Sequence, residues 1–227
     1  MIKTIFFDLD DTLLDFHRSE REAITQTLSS FGIDPTDAVR ERYSAINKYV
    51  WKQLELGLMT REQILVKRFE LLFEELGVDA DGMAVKRAYE WNLGGSYFYL
   101  DGAEELLEEL QKKYDLYIMS NGTAVVQDRR IAASGIDKYF KEIFISEKVG
   151  YNKPSIEFFE RCFERIPDFD KSSAIIIGDA LTSDIKGGIN AGILTCHYNP
   201  RAEGYEDIIP DYTIKTLEEL PALLESI

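Results

Sequence analysis

Cysteine and histidine are scarce in this chain: Cys162, Cys196, His17 and His197 are the only ones among 227 residues. That excludes a zinc cluster or a disulfide framework as the basis of the fold. The two cysteines read as buried or partly buried free thiols, because an unpaired Cys behaves as a small apolar residue. Long apolar runs are also missing. No stretch approaches the ~18 residues of a membrane span. Residues 1–11 form a short apolar run ending in acid, without the basic start, long apolar stretch and small-residue cleavage site of a signal peptide. A cytoplasmic location is therefore expected. Positive charge is in deficit: 26 Lys and Arg stand against 41 Asp and Glu, a net charge of −15. Such a surface repels nucleic-acid polymers and anionic lipid, so neither is an expected partner. A small anionic substrate stays open, provided its site carries its own cations. No internal repeat or low-complexity segment occurs, and 45% hydrophobic with 30% charged residues is ordinary globular usage.

Two textures are present. Short Ile-rich apolar runs at 4–9, 116–120, 143–146, 174–178 and 194–198, with a weaker one at 212–214, have the character of strands buried on both faces. From about residue 101 they alternate with helical patterns at 103–113, 125–134, 156–165, 183–191 and 217–226. Strands alternating with helices predict an α/β fold with a doubly wound parallel sheet. The second texture fills residues 16–97. There Val39, Tyr43, Ile46, Val50 and Leu54 follow helical spacing, as do Leu65, Phe69, Leu72, Phe73 and Leu76. Gly32, Gly57 and Gly77 fall near the ends of these patterns, where a left-handed residue stops a helix. A helical bundle inserted after the first strand is expected.

Four segments carry chemistry. Asp8 and Asp10, with Asp11 and Thr12, follow the first strand directly. Carboxylates at i and i+2 beyond a strand end share a small volume, which is costly unless a cation neutralises them. Turn and helix-capping roles are the alternative for acids in such a place. Gly178-Asp179, followed by Asp184, repeats the pattern after another apolar strand, with Asp184 expected in the first turn of the next helix. Two strand ends delivering carboxylates predict an oxygen-ligand site for a hard cation, of which Mg²⁺ is the natural occupant. Ser120-Asn121-Gly122 places a hydroxyl at a strand end before a helix start, where backbone N–H groups favour an anion. Lys153-Pro154 precedes another helix. Proline suits a helix's first turn and biases Lys153 toward an extended backbone, aiming it from a rigid stem. A solvated surface lysine is the alternative. Together the parts are those a phosphoryl group needs: a nucleophile, a divalent cation, and donors around its oxygens.

In these four segments, in order and along essentially the whole chain, the sequence resembles the haloacid dehalogenase superfamily of phosphatases. The resemblance implies a Rossmann-like catalytic core over residues 1–15 and 98–227 and a cap domain over 16–97, placed as in subfamily I. It implies that Asp8 is a nucleophile forming an aspartyl phosphate and that Asp10 is the general acid and base. Asp8, the main-chain carbonyl of Asp10, and Asp179 would hold Mg²⁺, with Asp184 ligating directly or orienting Lys153. Ser120 and the N–H of Asn121 would bind phosphoryl oxygens, and Lys153 would balance charge on nucleophile and phosphate. The dehalogenases that name the family lack the second acid and need no metal, so Asp10 favours phosphoryl chemistry.

The chain also resembles bacterial pyrimidine or non-standard nucleotide 5′-nucleotidases. The matching residues are 45–48 with Trp51, Leu56-Gly57 with Thr60, 68–70, 145–150 and 187–192. Tyr43, Asn47 and Trp51 stand at i, i+4 and i+8 along one helical stripe. That stripe either packs the bundle or presents rings and an amide to a flat, hydrogen-bonding base. His17 is either a substrate contact near the site mouth or a plain polar residue starting a helix. The expectation is a Mg²⁺-dependent phosphomonoesterase acting on nucleoside 5′-monophosphates, a small-molecule phosphomonoester class. A sugar-phosphate or phosphoglycolate phosphatase, a phosphoglucomutase and a catalytically silent binding module are the competing readings.

Overall fold

The computed structural model describes every residue except Glu203, Tyr205 and Glu206. The described residues form two compact units, Met1–Phe16 with Phe98–Ile227, and His17–Tyr97. The first unit is built on one six-stranded parallel sheet. Its strands are β1 (Thr4–Phe7), β2 (Asp115–Ser120), β3 (Glu142–Ile145), β4 (Ala174–Gly178), β5 (Leu194–Tyr198) and β6 (Tyr212–Ile214). Their order is β3-β2-β1-β4-β5-β6, and every neighbouring pair is parallel.

The helical unit has an ordered physical grammar of its own. It consists of α1 (Phe16–Ser30), whose first residue belongs to the sheet unit, α2 (Asp37–Glu55), α3 (Arg61–Leu76) and α4 (Gly82–Gly94). Thr36 caps α2 by accepting from the Val39 N–H. Thr60 and Gln63 close a reciprocal capping box on α3, and Asp81 caps α4. Gly77 ends α3 in a left-handed conformation, φ 64°. The apolar stripes meet inside: Tyr43 stacks on Phe69 at a centroid distance of 5.6 Å, and Tyr89 packs against both rings.

In the sheet unit, strand alternation divides the core into two layers. Ile5, Phe7, Ile118, Ile175 and Ile177 face one side. They pack with Leu106, Leu107 and Leu110 of α5 (Ala103–Leu110) and Ile131 of α6 (Ala124–Ser134). The short α7 (Ser146–Val149) follows β3 directly. Phe6, Met119, Phe144 and Ile176 face the other side, against Phe158, Phe159, Cys162 and Phe163 of α8 (Ile156–Phe163) and Ala191 of α9 (Lys186–Ala191). Leu220 and Leu224 of α10 (Leu220–Ser226) join the first layer. Cys162 and Cys196 are free and buried, one in each layer. Among the described residues no helix is long and apolar enough to cross a membrane.

Several elements stop short of their sequence patterns. β1 ends at Phe7, leaving Asp8 and Leu9 beyond it. The helix expected from 183 opens two residues earlier as a wide π-helical turn, Leu181–Ile185, which carries Asp184 in its first turn as expected and runs directly into α9 at Lys186. The Lys153–Pro154 bond is cis, and α8 starts at Ile156 behind Ser155, so Pro154 precedes the helix rather than opening it. The first two departures lie just past the ends of β1 and β4, and the third lies between α7 and α8.

The topology fixes where a site can form. From β1 the chain passes through the helical unit in sequence, continues through β2 and β3, then returns to β4 on the other side of β1. The strand order reverses between β1 and β4, and open α/β sheets bind ligands in the crevice outside the strand carboxyl ends at such a reversal. β4 is the sheet's buried spine, with Ile175, Ile176 and Ile177 all fully covered. Gly188 lies so close to Ile176 that a Cβ there would stand 2.6 Å from Ile176 Cγ2. Ile176→Ala is expected to cost about 2–5 kcal/mol through lost transfer energy and an unfilled cavity. Urea denaturation measures it, and a loss below about 1 kcal/mol would mean this layer repacks freely.

Candidate active site

Asp8 extends β1 by one backbone bond, its N–H donating to Ile177 O at 2.9 Å. Its carboxylate is nearly covered, and Oδ1 accepts from Lys153 Nζ at 2.6 Å. Lys153 Nζ also donates to Asp184 Oδ1 at 2.6 Å and closely to the Met119 carbonyl. Asn121 holds the lysine's backbone in a reciprocal pair: its Nδ2 donates to Lys153 O, and its Oδ1 accepts from Lys153 N, both at 2.9 Å. The Asn121 side chain is thus committed to Lys153, a role that the expected anion-binding N–H did not anticipate.

Asp184 reaches the cluster from the wide turn after β4, and its Oδ2 accepts from the Ala180 N–H at 3.1 Å. Gly178 makes that approach possible, because a Cβ there would lie 2.3 Å from Asp184 Oδ2. The Asp179 N–H donates to Thr12 Oγ1 at 3.1 Å, and the Asp179 carbonyl meets His197 Nε2 at 2.8 Å. Asp8, Asp179 and Asp184 each offer a carboxylate oxygen, these atoms lying within 4.8 Å of one another.

Electrostatics make this grouping costly when it stands alone. Burial, with Asp184 and Asp10 nearby, pushes Asp8 up to about 8 against the opposing pull of Lys153. Burial and the charges of Asp8, Asp184 and Asp11 likewise raise Asp179 well above its ordinary value. Burial would lower the Lys153 ammonium, but Asp184 and Asp8 outweigh it and hold its pKa above the ordinary value. Three clustered hard oxygen donors, those of Asp8 and Asp179 with raised pKa values, fit a Mg²⁺-like cation.

The third acid of the first motif has a structural role. Asp11 sits at φ 58°, a left-handed conformation that Asp tolerates. Its Oδ1 accepts from the Phe16 N–H at 2.9 Å, at the start of α1. Asp10 is engaged by two residues that the motifs did not include. Arg130 Nη1 donates closely to Asp10 Oδ1, and Gln127 Nε2 donates to Asp10 Oδ2 at 2.7 Å. Gln127 Nε2 also donates to Ser120 Oγ at 2.8 Å. One sequence signal was available: Gln127 and Arg130 are three apart, between Val126 and Ile131, on the buried face of α6.

Within the helical unit the expected stripe turns inward. Tyr43 is fully buried in the aromatic core. Asn47 Nδ2 donates to Glu20 Oε1 at 2.7 Å, and its Oδ1 accepts from Arg68 Nη1 at 3.0 Å. Burial raises the Glu20 pKa, opposed by Ser44, Arg68, His17 and Asn47. Tyr43 and Asn47 therefore take the packing alternative, which corrects the expectation of Asn47 as a substrate contact. A large aromatic and an amide at helical spacing pack inside when a buried Glu and Arg need a bridge. Trp51 is half-buried, with the Arg61 guanidinium 5.4 Å from its ring centroid. His17 is exposed at the start of this unit.

A family model for haloacid dehalogenase-like hydrolases matches residues 2–192. The chain belongs to that family and is a hydrolase. It is 41% identical to the HAD-hydrolase YfnB of Bacillus subtilis, over 98% of this chain and 95% of that one. It is 39% identical to the pyrimidine 5′-nucleotidase PynA of Streptococcus pneumoniae, covering 96% and 93% of the two chains. With the pyrimidine 5′-nucleotidase YjjG of Escherichia coli the identity is 33%, covering 97% and 96%. A crystal structure of YfnB described as bound to magnesium superposes with a TM-score of 0.94, covering 98% of each chain.

Lys153 is the only cation bonded to both Asp8 and Asp184 among the described contacts. Lys153→Met removes it while keeping the volume. Removing one partner of a buried ion pair leaves an uncompensated charge, so a loss of about 3–5 kcal/mol is expected. Denaturant titration in chelator-treated buffer is the check, and an unchanged midpoint would contradict a buried ion-paired lysine.

Proposed function

We propose that this hydrolase is a Mg²⁺-dependent phosphomonoesterase that acts on nucleoside 5′-monophosphates through an aspartyl phosphate on Asp8. The observation that carries the reading is the buried Asp8 carboxylate, paired with Lys153 at 2.6 Å and grouped with Asp179 and Asp184, while Asp10 stands two residues on. The nucleotide class rests on the two relatives named pyrimidine 5′-nucleotidases. In this proposal residues 1–15 and 98–227 act as the catalytic core and residues 16–97 as the cap.

An Asp8 oxygen attacks phosphorus, forming an Oδ–P bond as the bond from phosphorus to the ester oxygen breaks. Asp10 gives its proton to the departing alkoxide, which leaves as the nucleoside. Water then attacks the phosphorus of the aspartyl phosphate, and Asp10 takes a proton from it. The Oδ–P bond breaks, releasing inorganic phosphate and restoring the Asp8 carboxylate. Splitting the displacement into two steps lets a carboxylate and a water each do half the work. Ser120 and the backbone N–H of Asn121 donate to phosphoryl oxygens, and Lys153 offsets charge that builds on nucleophile and phosphate. Asp8, the Asp10 carbonyl, Asp179 and Asp184 would hold Mg²⁺. When bound, the cation supplies the positive charge that lets a dianion approach these carboxylates.

Asp8→Asn is expected to lower kcat by several orders of magnitude at ~1.4 kcal/mol per tenfold while the fold persists. EDTA should silence the wild-type protein and Mg²⁺ should restore it. Steady-state phosphate release with circular dichroism as control measures both. A near-wild-type rate for the variant would remove Asp8 as nucleophile, and full activity in metal-free buffer would remove the mechanism.

The substrate class has its own test. kcat/KM for UMP or dTMP is expected to exceed that for glucose 6-phosphate and phosphoglycolate by at least about tenfold, which requires only ~1.4 kcal/mol of differential transition-state binding. Should a sugar phosphate or phosphoglycolate lead a panel at matched Mg²⁺ and pH, the nucleotidase reading fails and the phosphatase mechanism survives.

A further inference from the structure

Arg130 and Gln127 are buried, polar, and unused by the mechanism above. They come from one turn of α6 and meet two groups that the proposed reaction depends on, Asp10 and Ser120. Such a pair is unusual on the covered face of a helix, because each polar atom there must be satisfied. Their bonding pattern has only one chemically consistent orientation. A guanidinium has donors and no acceptor, so the Gln127 oxygen must face Arg130. It does: Arg130 Nη1 donates to Gln127 Oε1 at 3.1 Å. That places both Gln127 Nε2 hydrogens on the other side, one toward Asp10 Oδ2 at 2.7 Å and one toward Ser120 Oγ at 2.8 Å.

The consequences reach both reacting partners. Asp10 is held by both oxygens, Oδ1 by Arg130 and Oδ2 by Gln127, which fixes the plane of its carboxyl group. Ser120 Oγ accepts from Gln127 and also from the Gly122 N–H at 3.1 Å. With both lone pairs so engaged, the hydroxyl proton is left to donate outward. The backbone makes room for this arrangement: a Cβ at Gly122 would stand 2.4 Å from Gln127 Nε2. The Arg130 guanidinium also lies 5.7 Å from the Phe16 ring centroid, so an aromatic face covers it.

We propose that Arg130 and Gln127 are positioning residues, which orient the Asp10 carboxyl toward the leaving-group oxygen and the Ser120 hydroxyl toward the phosphoryl group. The proposal rests on the phosphatase reading. Neither residue touches substrate; each acts through the group it holds. Positioned proton transfer contributes typically 10²–10⁴-fold, so a free-swinging Asp10 forfeits a measurable part of it.

Leaving-group dependence isolates this role. An alkoxide must be protonated as it departs, whereas nitrophenolate leaves without help. kcat/KM covers only the steps through leaving-group departure, so it reads Asp10 as acid. In Arg130→Met, kcat/KM for UMP is expected to fall at least about 100-fold, and that for p-nitrophenyl phosphate by less than about threefold. Arg130→Lys should recover at least about tenfold of the loss on UMP. Gln127→Met also releases Ser120, so both esters should suffer, UMP by at least about tenfold more. Thermal melts accompany each variant; if Arg130→Met does not fold, Arg130→Lys and Gln127→Met carry the same differential comparison against wild type. Equal losses on the two esters in folded variants, or unchanged kcat/KM on UMP, would overturn the positioning role. If wild type hydrolyses neither ester with Mg²⁺ present, the phosphatase reading falls and takes this proposal with it. Wild-type hydrolysis of both with equal losses in the variants removes the proposal alone.

Discussion

The ammonium of Lys153 has three protons, and the chain offers it three acceptors: Asp8 Oδ1, Asp184 Oδ1 and the Met119 carbonyl. That match between donor count and acceptor count is what the remainder of the candidate site accommodates. A guanidinium, planar and larger, would not satisfy three acceptors converging on one point. Because Lys153 is covered, its carboxylate partners must come to it. Gly178 lacks the Cβ that would block Asp184, and Asn121 clamps the lysine's own backbone on both sides. Each of these small choices makes sense only with the buried ammonium in place.

The sheet makes that convergence possible. Residues 8, 120, 153 and 184 are far apart in sequence, yet β1, β2 and β4 run parallel and adjacent. Their carboxyl ends therefore deliver Asp8, Ser120 and the turn carrying Asp184 to one edge, at the place where strand order reverses. The two apolar layers do not select any of this chemistry. They hold strands in register so that a residue one position past a strand end is placed reproducibly. Replacing the periodic pattern at those ends with turns and a wide helical turn is how the chain stops building core and starts presenting side chains.

The same division explains what was legible in the sequence. Alternating strand and helix patterns gave the parallel sheet, because burial on both faces leaves a local signature in Ile-rich runs such as 174–178. Asp8, Asp10, Ser120, Lys153, Asp179 and Asp184 were visible because each sits at a strand end or before a helix, a context readable within a few residues. Arg130 and Gln127 were not singled out. Their meaning lies in pairings with Asp10, 120 and 117 residues away, and the one local signal, two polar residues three apart between Val126 and Ile131, does not name that partner. Tyr43 and Asn47 show why the stripe stayed open between two readings. Helical spacing correctly put them on one face, but spacing does not say whether a face looks inward. The buried Glu20 and Arg68 that claim Asn47 lie on two other helices.

Charge balance joins these observations. The composition, at a net −15, left a small anion possible only if the site supplied its own cations. Among the described residues the candidate site has two, and each pairs with a different acid of the first motif: Lys153 with Asp8, and Arg130 with Asp10. Both are among the most completely covered side chains of the molecule. Neither is free to follow a substrate, so their charge is preorganised rather than recruited. Counted as ionised, Asp8, Asp10, Asp179 and Asp184 outnumber these cations by two negative charges. A divalent cation of the proposed kind cancels that excess, which is the condition for a phosphate dianion to enter without facing net repulsion. Asp179 completes the group of three carboxylates that the proposed cation would join. It shares the cluster with Asp8 and Asp184, and its raised pKa reports a carboxylate whose burial and acidic neighbours outweigh the pull of Lys153.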